Sequence, residues 1–173
     1  MAPTVRPERA EYPEYYHRYV ELVPGGPIVA TLRDQILETL RLLEPLPEAR
    51  AMHRYAPGKW SVKEVVGHMA DAERVFAYRA LRFARADATP LTPFEENDYV
   101  ANGNFDARAL PDLLAELRAV REATVRLFDP LDDAAAARKG STPAGSVSAR
   151  ALAWIIAGHE RHHRGILAER YLA

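Results

Sequence analysis

The chain has 173 residues, of which 48% are hydrophobic and 27% are charged, as in an ordinary globular protein. This length predicts one domain with a single hydrophobic core. The 23 basic and 24 acidic residues are interspersed and give a net charge of -1, which argues against nucleic acid or an acidic membrane as a partner. Because cysteine is absent, disulfides, thiolate ligands and a cysteine nucleophile are excluded. Any metal site must therefore use histidines and carboxylates.

The N-terminus lacks the apolar segment of a secretion signal, and no apolar run approaches the roughly 20 residues that a membrane helix needs. We therefore expect a cytoplasmic protein that does not enter a membrane. Its expected partner is a small-molecule substrate, and a homodimer is the assembly to be tested.

Residues 1–26 contain several prolines and tyrosines and end in Gly25-Gly26, without a sustained helical period. This composition predicts an extended N-terminal arm whose tyrosines pack on the rest of the protein. Residues 27–173 are predicted to form the main domain, which is a helical bundle.

Four amphipathic patterns predict the helices of this bundle. In the first, residues 27–46, leucine and isoleucine recur at spacings of three and four. The second, residues 60–86, begins at a capping box, because Ser61 and Glu64 supply the S-x-x-E pattern ahead of an apolar period. The stretch between these two helices is rich in proline and is predicted to be an irregular connection.

The third helix is predicted at residues 110–128, and the fourth begins at Ser146 or Ser148. Residues 87–108 form a long irregular segment that suits a crossover, and residues 129–145 form another connection with one short helical turn. With no convincing strand, the sequence predicts an all-α antiparallel four-helix bundle with one long crossover between helices two and three.

Three histidines lie on the apolar faces of two predicted helices. His159 and His163 are four residues apart on the fourth helix, so their imidazoles can reach one ion. His68 interrupts the apolar stripe of the second helix. Burying unpaired imidazoles is costly, which favours coordination. Histidines that form hydrogen bonds in the core remain an alternative on this pattern alone.

The segment from His159 to His163 also matches H-E-x-x-H, the zinc protease pattern in which the glutamate acts as a general base. The short stretch after His163 lacks the H-x-x-G-x-x-H extension of one large protease group. Glu160 also lies about 100 degrees from His159 on the helical wheel. Proteolysis is therefore the least favoured interpretation.

The segments around these histidines resemble a known family. Residues 60–73, WSVKEVVGHMADAE, and residues 158–163, GHERHH, are similar to the DinB/YfiT-like superfamily of metalloenzymes. The likeness covers nearly the whole chain, including the long middle connection. In that family three histidines of a four-helix bundle hold a divalent metal. The resemblance assigns these roles to His68, His159 and His163, with zinc, nickel, iron or manganese as the ion.

The resemblance implies a metal-dependent enzyme without specifying its substrate. Some relatives are S-transferases that use a low-molecular-weight thiol, and others are thiol-dependent isomerases. We therefore expect a thiol S-transferase or a hydrolase, with a low-molecular-weight thiol as a candidate cosubstrate. Since the chain has no cysteine, the thiol must arrive with the substrate or cosubstrate. A bundle whose ion serves only as a scaffold or a sensor is the alternative from a different class.

Five other side chains are candidates for the site. Glu64 and Asp71 lie beside the histidine of the second helix and could orient it or act as a base. Arg79 and Arg170 fall on inward stripes and could hold a substrate carboxylate, although an ion pair at the bundle end is the simpler interpretation. His162 lies about 60 degrees off the stripe, which suits a pocket wall. We also expect a carboxylate or carbonyl on the outer nitrogen of one ligand.

Overall fold

The structure, a computed structural model, describes residues 5–172. Its four long helices are α2 (Ile28–Leu43), α4 (Val62–Ala84), α6 (Leu110–Phe128) and α8 (Ala149–Ile166). The short helices are α1 (His17–Val20), α3 (Glu48–Ala51), α5 (Glu96–Asn102) and α7 (Asp133–Ala137). Two antiparallel strands, β1 (Lys139–Thr142) and β2 (Gly145–Ser148), form a hairpin before α8. A π-helical turn, Leu167–Tyr171, ends the described chain.

The long helices form a bundle in which α4 packs against α6 and α8, and α2 packs against the same two helices from the opposite corner. One core cluster joins the first halves of α2 and α8 to the last halves of α4 and α6, and a second cluster joins the opposite halves. Therefore α2 and α8 run one way, and α4 and α6 run the other way. Parallel neighbours need a connection that returns along the bundle.

The predicted four-helix bundle with a crossover between helices two and three is thus confirmed. The crossover segment, residues 85–109, joins the parallel neighbours α4 and α6. The bundle is not antiparallel throughout, because α2 and α8 are also parallel neighbours. None of the helices within residues 5–172 is long and apolar enough to cross a lipid bilayer.

Local sequence signals explain where the long helices begin. The Ser61 hydroxyl accepts a hydrogen bond from the Glu64 N–H at 3.0 Å, and the Glu64 carboxylate accepts one from the Ser61 N–H at 2.8 Å. Ser148 caps α8 in a similar way, since its hydroxyl accepts a hydrogen bond from the Ala151 N–H at 3.0 Å. Such caps contribute about 1 kcal/mol each and satisfy N–H groups that the first helical turn leaves free.

The connections are more ordered than predicted. The first connection contains α3, and the crossover segment contains α5 and the 3-10 turn Phe105–Ala107. The hairpin is a correction to the prediction that the chain has no strand. Tertiary contacts account for it: Val147 is fully buried, and a Cβ at Gly140 would lie 1.9 Å from the Phe83 ring. Close packing on α4, rather than an alternation of apolar and polar residues, therefore explains why the hairpin forms.

The N-terminal arm (residues 5–26 in the structure) forms 3-10 turns and the helix α1, where the sequence predicted an extended segment. It packs on α8 through buried Tyr19 and through Glu11, whose carboxylate accepts a hydrogen bond from Arg150 Nε at 2.7 Å, and on α4 through buried Tyr16, whose ring contacts that of Phe76. The tyrosine rings supply the apolar surface that makes these short turns stable. Residues 1–4 of the arm and Ala173 lie outside the described residues, and the division at residue 26 stays a prediction.

Gly158 of α8 allows the arm to approach the helix backbone. A Cβ at this position would lie 2.0 Å from the carbonyl oxygen of Tyr19. We expect Gly158→Ala to displace the arm and to lower the free energy of unfolding by about 1–3 kcal/mol, the usual cost of overpacking. Urea denaturation measures this loss. Gly165→Ala is the matched control on the same helix, because a Cβ there meets nothing within 4 Å. Equal stability of the two variants would contradict the close approach.

Candidate metal centre

The three predicted histidines meet between α4 and α8. The Nε2 atom of His159 lies 3.1 Å from Nε2 of His68 and 3.1 Å from Nε2 of His163. All three ligand atoms lie within 4.8 Å of one another. The helical spacing aligns the two histidines of α8, and the packing of α4 on α8 brings in the third. We call this group the histidine cluster (His68, His159 and His163).

The distances within the histidine cluster fit a shared metal ion. Two nitrogens that are each 2.0–2.1 Å from one zinc ion are about 3.3 Å apart at the tetrahedral angle. Hydrogen bonds alone cannot satisfy the group, because the single Nε2 atom of His159 faces two other Nε2 atoms and can donate or accept only once. Within residues 5–172 the cluster contains no fourth protein ligand. The donor set therefore suits an ion that keeps an open coordination position.

Burial keeps these imidazoles in the neutral form that ligation requires. It lowers the pKa of His68 to about 4. It also holds the pKa of His159 and of His163 well below the usual value, and the neighbouring imidazoles lower both further. A divalent ion would therefore not have to displace protons at neutral pH.

Aromatic rings surround the cluster. The Trp60 ring centroid lies 4.7 Å from that of His68, and the Tyr19 and Phe76 centroids lie 5.4 Å and 5.8 Å from that of His159. The structure records no hydrogen bond between an outer Nδ1 atom of the cluster and a carboxylate or carbonyl of residues 5–172. The expectation of such a partner is therefore not met, and ring packing orients the imidazoles instead.

Three of the other candidate residues lie apart from the cluster. The Glu64 carboxylate caps α4 and pairs with Arg54. Asp71 forms its ion pair with Arg74, at 3.1 Å. Arg170 is exposed, and its guanidinium lies 5.4 Å from the centre of the Tyr55 ring. The helical wheel placed Arg170 on the inward face and Glu64 and Asp71 beside His68, but these partners hold all three away from the cluster.

A cavity of about 290 Å³ reaches the cluster at His159. Its walls come from the arm, from α4, from the crossover segment and from the hairpin turn. Arg79 lies on the α4 wall, whereas His162 lies beside the cluster with its ring centroid 5.1 Å from that of His163. Both residues were candidates from the sequence, whereas other lining residues were not: Tyr15, Tyr16, Tyr19, Phe76, Phe94, Pro143 and Ala144. Tyrosine enrichment in the arm was the available signal for Tyr15, Tyr16 and Tyr19, and the length of the crossover segment was the signal for Phe94.

Glu160, the central residue of the H-E-x-x-H match, points into the bundle core. Its carboxylate accepts hydrogen bonds from Arg121 Nη1 at 2.7 Å and from the Thr39 hydroxyl at 2.5 Å. Arg121 also binds Glu73 through two parallel hydrogen bonds of 2.8 Å. These contacts occupy the glutamate that a zinc protease would need as a free base, which argues against proteolysis.

The fold and the histidine cluster define a four-helix-bundle protein with a candidate three-histidine metal centre. The sequence profile of the DinB superfamily matches residues 31–167, and the chain belongs to this superfamily. The resemblance inferred from residues 60–73 and 158–163 is thereby confirmed. A comparison with curated protein sequences finds no significant match.

Solved structures share the fold at low sequence identity. YfiT from Bacillus subtilis, described as a probable metal-dependent hydrolase with an unusual four-helix bundle topology, matches with a TM-score of 0.74 and 18% identity. That match covers 95% of this chain and 90% of YfiT. YjoA, a DinB-like protein from Bacillus subtilis, matches at 0.60 and 20% identity, over 82% of this chain and 86% of that one. A mycothiol-dependent maleylpyruvate isomerase matches at 0.65 and 15% identity, over 80% of this chain and 58% of that one.

Proposed function

We propose that this protein is a metal-dependent enzyme that acts on a small molecule at the histidine cluster. The observation that carries the proposal is the convergence of three neutral Nε2 atoms beside a cavity that includes His159 in its wall. A structural metal site is normally closed by four protein ligands, whereas a catalytic site keeps a position for water or substrate. The scaffold or sensor alternative requires no such cavity.

Each group of residues at the site has its own role in this proposal. His68, His159 and His163 would hold the ion. When bound, a divalent ion supplies the Lewis acidity that turns a water or a thiol into a nucleophile near neutral pH. Tyr19 and Phe76 exclude bulk water on the cavity side, which strengthens the electrostatic interactions inside the site. The arm and the crossover segment limit the size of the substrate.

Two nucleophiles are supported by different relatives. The similarity to YfiT over nearly the full length of both chains favours water, since that protein is described as a probable hydrolase. The similarity to the mycothiol-dependent isomerase favours a low-molecular-weight thiol. Absence of cysteine from this chain requires that the thiol be supplied as a cosubstrate.

The two reactions can be tested in parallel on the same preparations. Metal-free protein is loaded separately with zinc, nickel, iron(II) or manganese(II). It is assayed for hydrolysis of 4-nitrophenyl acetate and for replacement of chloride in 1-chloro-2,4-dinitrobenzene by glutathione, mycothiol or coenzyme A. We expect at least one loaded form to exceed His159→Ala by about 100-fold or more in one reaction, because loss of a ligand removes the ion.

The control variant is His53→Ala, which changes an exposed histidine outside the cluster and should keep full activity. If every loaded form is as slow as His159→Ala in both reactions although the ion is bound, the scaffold or sensor alternative is favoured instead. Activity that persists in the metal-free protein would contradict the metal dependence itself.

A further inference from the structure

Arg79 of α4 is a buried cation that forms no ion pair with any carboxylate of residues 5–172. It is only 5% exposed, and the two acidic residues that line the same cavity, Glu95 and Glu96, are exposed and form no ion pair with it. Its guanidinium donates to the Thr92 carbonyl at 3.5 Å, the outer limit of a hydrogen bond, and lies beside the Tyr16 hydroxyl. A guanidinium offers five N–H donors, and burying it without an anion is strongly unfavourable. The guanidinium therefore needs an anionic partner that residues 5–172 do not provide.

Arg79 faces the same cavity as the histidine cluster. Ala72, Phe76 and Arg79 follow one another at spacings of four and three residues, so they form one face of α4, and all three line the cavity with His159. About 16 Å of helix axis separates His68 from Arg79. Helical side chains lean toward the N-terminus of their helix, so Arg79 leans toward the cluster. The small side chain of Ala72 leaves space in the cavity between Arg79 and the histidine cluster.

The rest of the cavity lining suits a ligand that is mostly apolar and carries one negative charge. Burial raises the pKa of Tyr16 and of Tyr19, so both phenols stay neutral and able to donate hydrogen bonds. Phe94 lies 5.7 Å from the Arg79 guanidinium. Two acidic residues, Glu95 and Glu96, also line the cavity, but both are exposed to solvent. A volume of about 290 Å³ is at the small end of the range for ligand pockets.

We propose that the cavity binds a small carboxylic acid whose carboxylate pairs with Arg79 and whose reactive end faces the histidine cluster. This inference rests on the proposed function and gives it a substrate class. The planar guanidinium can bind a carboxylate through two parallel hydrogen bonds, which fixes the orientation of the ligand as well as its position. The apolar part of the ligand then packs against Phe76 and Tyr16.

The test compares 3-phenylpropanoate with its uncharged isostere 3-phenylpropanamide. Both are titrated calorimetrically into the metal-loaded and the metal-free wild-type protein. We expect the acid to bind at least about tenfold more tightly than the amide, as for a charge-assisted hydrogen bond. Arg79→Gln should abolish this preference without changing the metal content. Arg79→Lys should retain part of this preference, because lysine keeps the charge but lacks the planar guanidinium that binds a carboxylate through two hydrogen bonds.

Arg82→Gln is the matched control, since Arg82 lies one turn further along α4, outside this cavity, and pairs with Asp87. It should keep the full preference. Equal binding of acid and amide to the wild type, or an unchanged preference in Arg79→Gln, overturns the proposal. A preference for the acid that is present in the metal-loaded protein but lost in the metal-free protein would place the carboxylate on the ion. That result overturns the proposal as well. The metal-free titration is independent of turnover, so failure of the proposed function is recognised separately.

Discussion

Elemental analysis of the purified protein is expected to find one divalent ion per chain, and His159→Ala and His163→Ala are each expected to lose it. Each substitution removes one of three converging Nε2 atoms, and no fourth ligand of residues 5–172 is near enough to replace it. Loss of a hydrogen-bonding partner behind a ligand already weakens metal binding by about 10–100-fold, so loss of the ligand itself should exceed that.

His162→Ala is the control for this experiment, because its ring lies 5.1 Å from that of His163 but outside the ligand cluster. It should retain the ion. Thermal denaturation provides a second measurement: at a free ion concentration 100 times the Kd, binding adds about 2.7 kcal/mol to the free energy of unfolding. The alanine variants of the ligands should lack this increment. Full occupancy in both of them would show that the ion binds elsewhere.

Arg121→Met is expected to lower the free energy of unfolding by about 3–5 kcal/mol, the largest loss of stability that we predict for a single substitution. Arg121 is 2% exposed and, among residues 5–172, is the only cation bound to two buried carboxylates, those of Glu73 and Glu160. Burial alone lowers the pKa of Arg121, but the two carboxylates raise it above its usual value, so it stays charged. Its removal leaves both carboxylates buried without a counter-charge.

The control is Arg118→Met, which removes an arginine of the same helix whose side chain is 50% exposed and pairs with Glu44 at 3.3 Å. An exposed pair of this kind contributes at most about 1 kcal/mol. The triple variant Arg121→Met, Glu73→Leu and Glu160→Leu should regain much of the lost stability, since it removes the unpaired charges as well. Urea denaturation compares the four proteins. A loss in Arg121→Met no greater than in Arg118→Met would refute the role assigned to this network.

Several features of this protein follow from local sequence. The boundaries of α6 agree with its apolar period and with Pro111 in the first turn. The start of α4 follows from Ser61 and Glu64, because both halves of a capping box lie within one helical turn. The short elements could not be predicted in this way. The four residues of α3 and the hairpin strands have too few internal hydrogen bonds to be stable alone, and they depend on packing against the bundle.

The candidate site likewise combines features that the local sequence determines with features that only the packing determines. The spacing of His159 and His163, and the place of His68 on an apolar stripe, predicted that all three side chains face the bundle interior, since helical geometry relates residue number to face. The structure brings the three together, and their role as metal ligands stays a prediction. The sequence could not show that Glu160 binds Arg121 or that no carboxylate of the described chain pairs with Arg79. A helical wheel tells which way a side chain points but not what lies opposite. Arg121 and Glu160 are 39 residues apart in the chain, and the surroundings of Arg79 come from the arm and the crossover segment, so only tertiary packing decides these contacts.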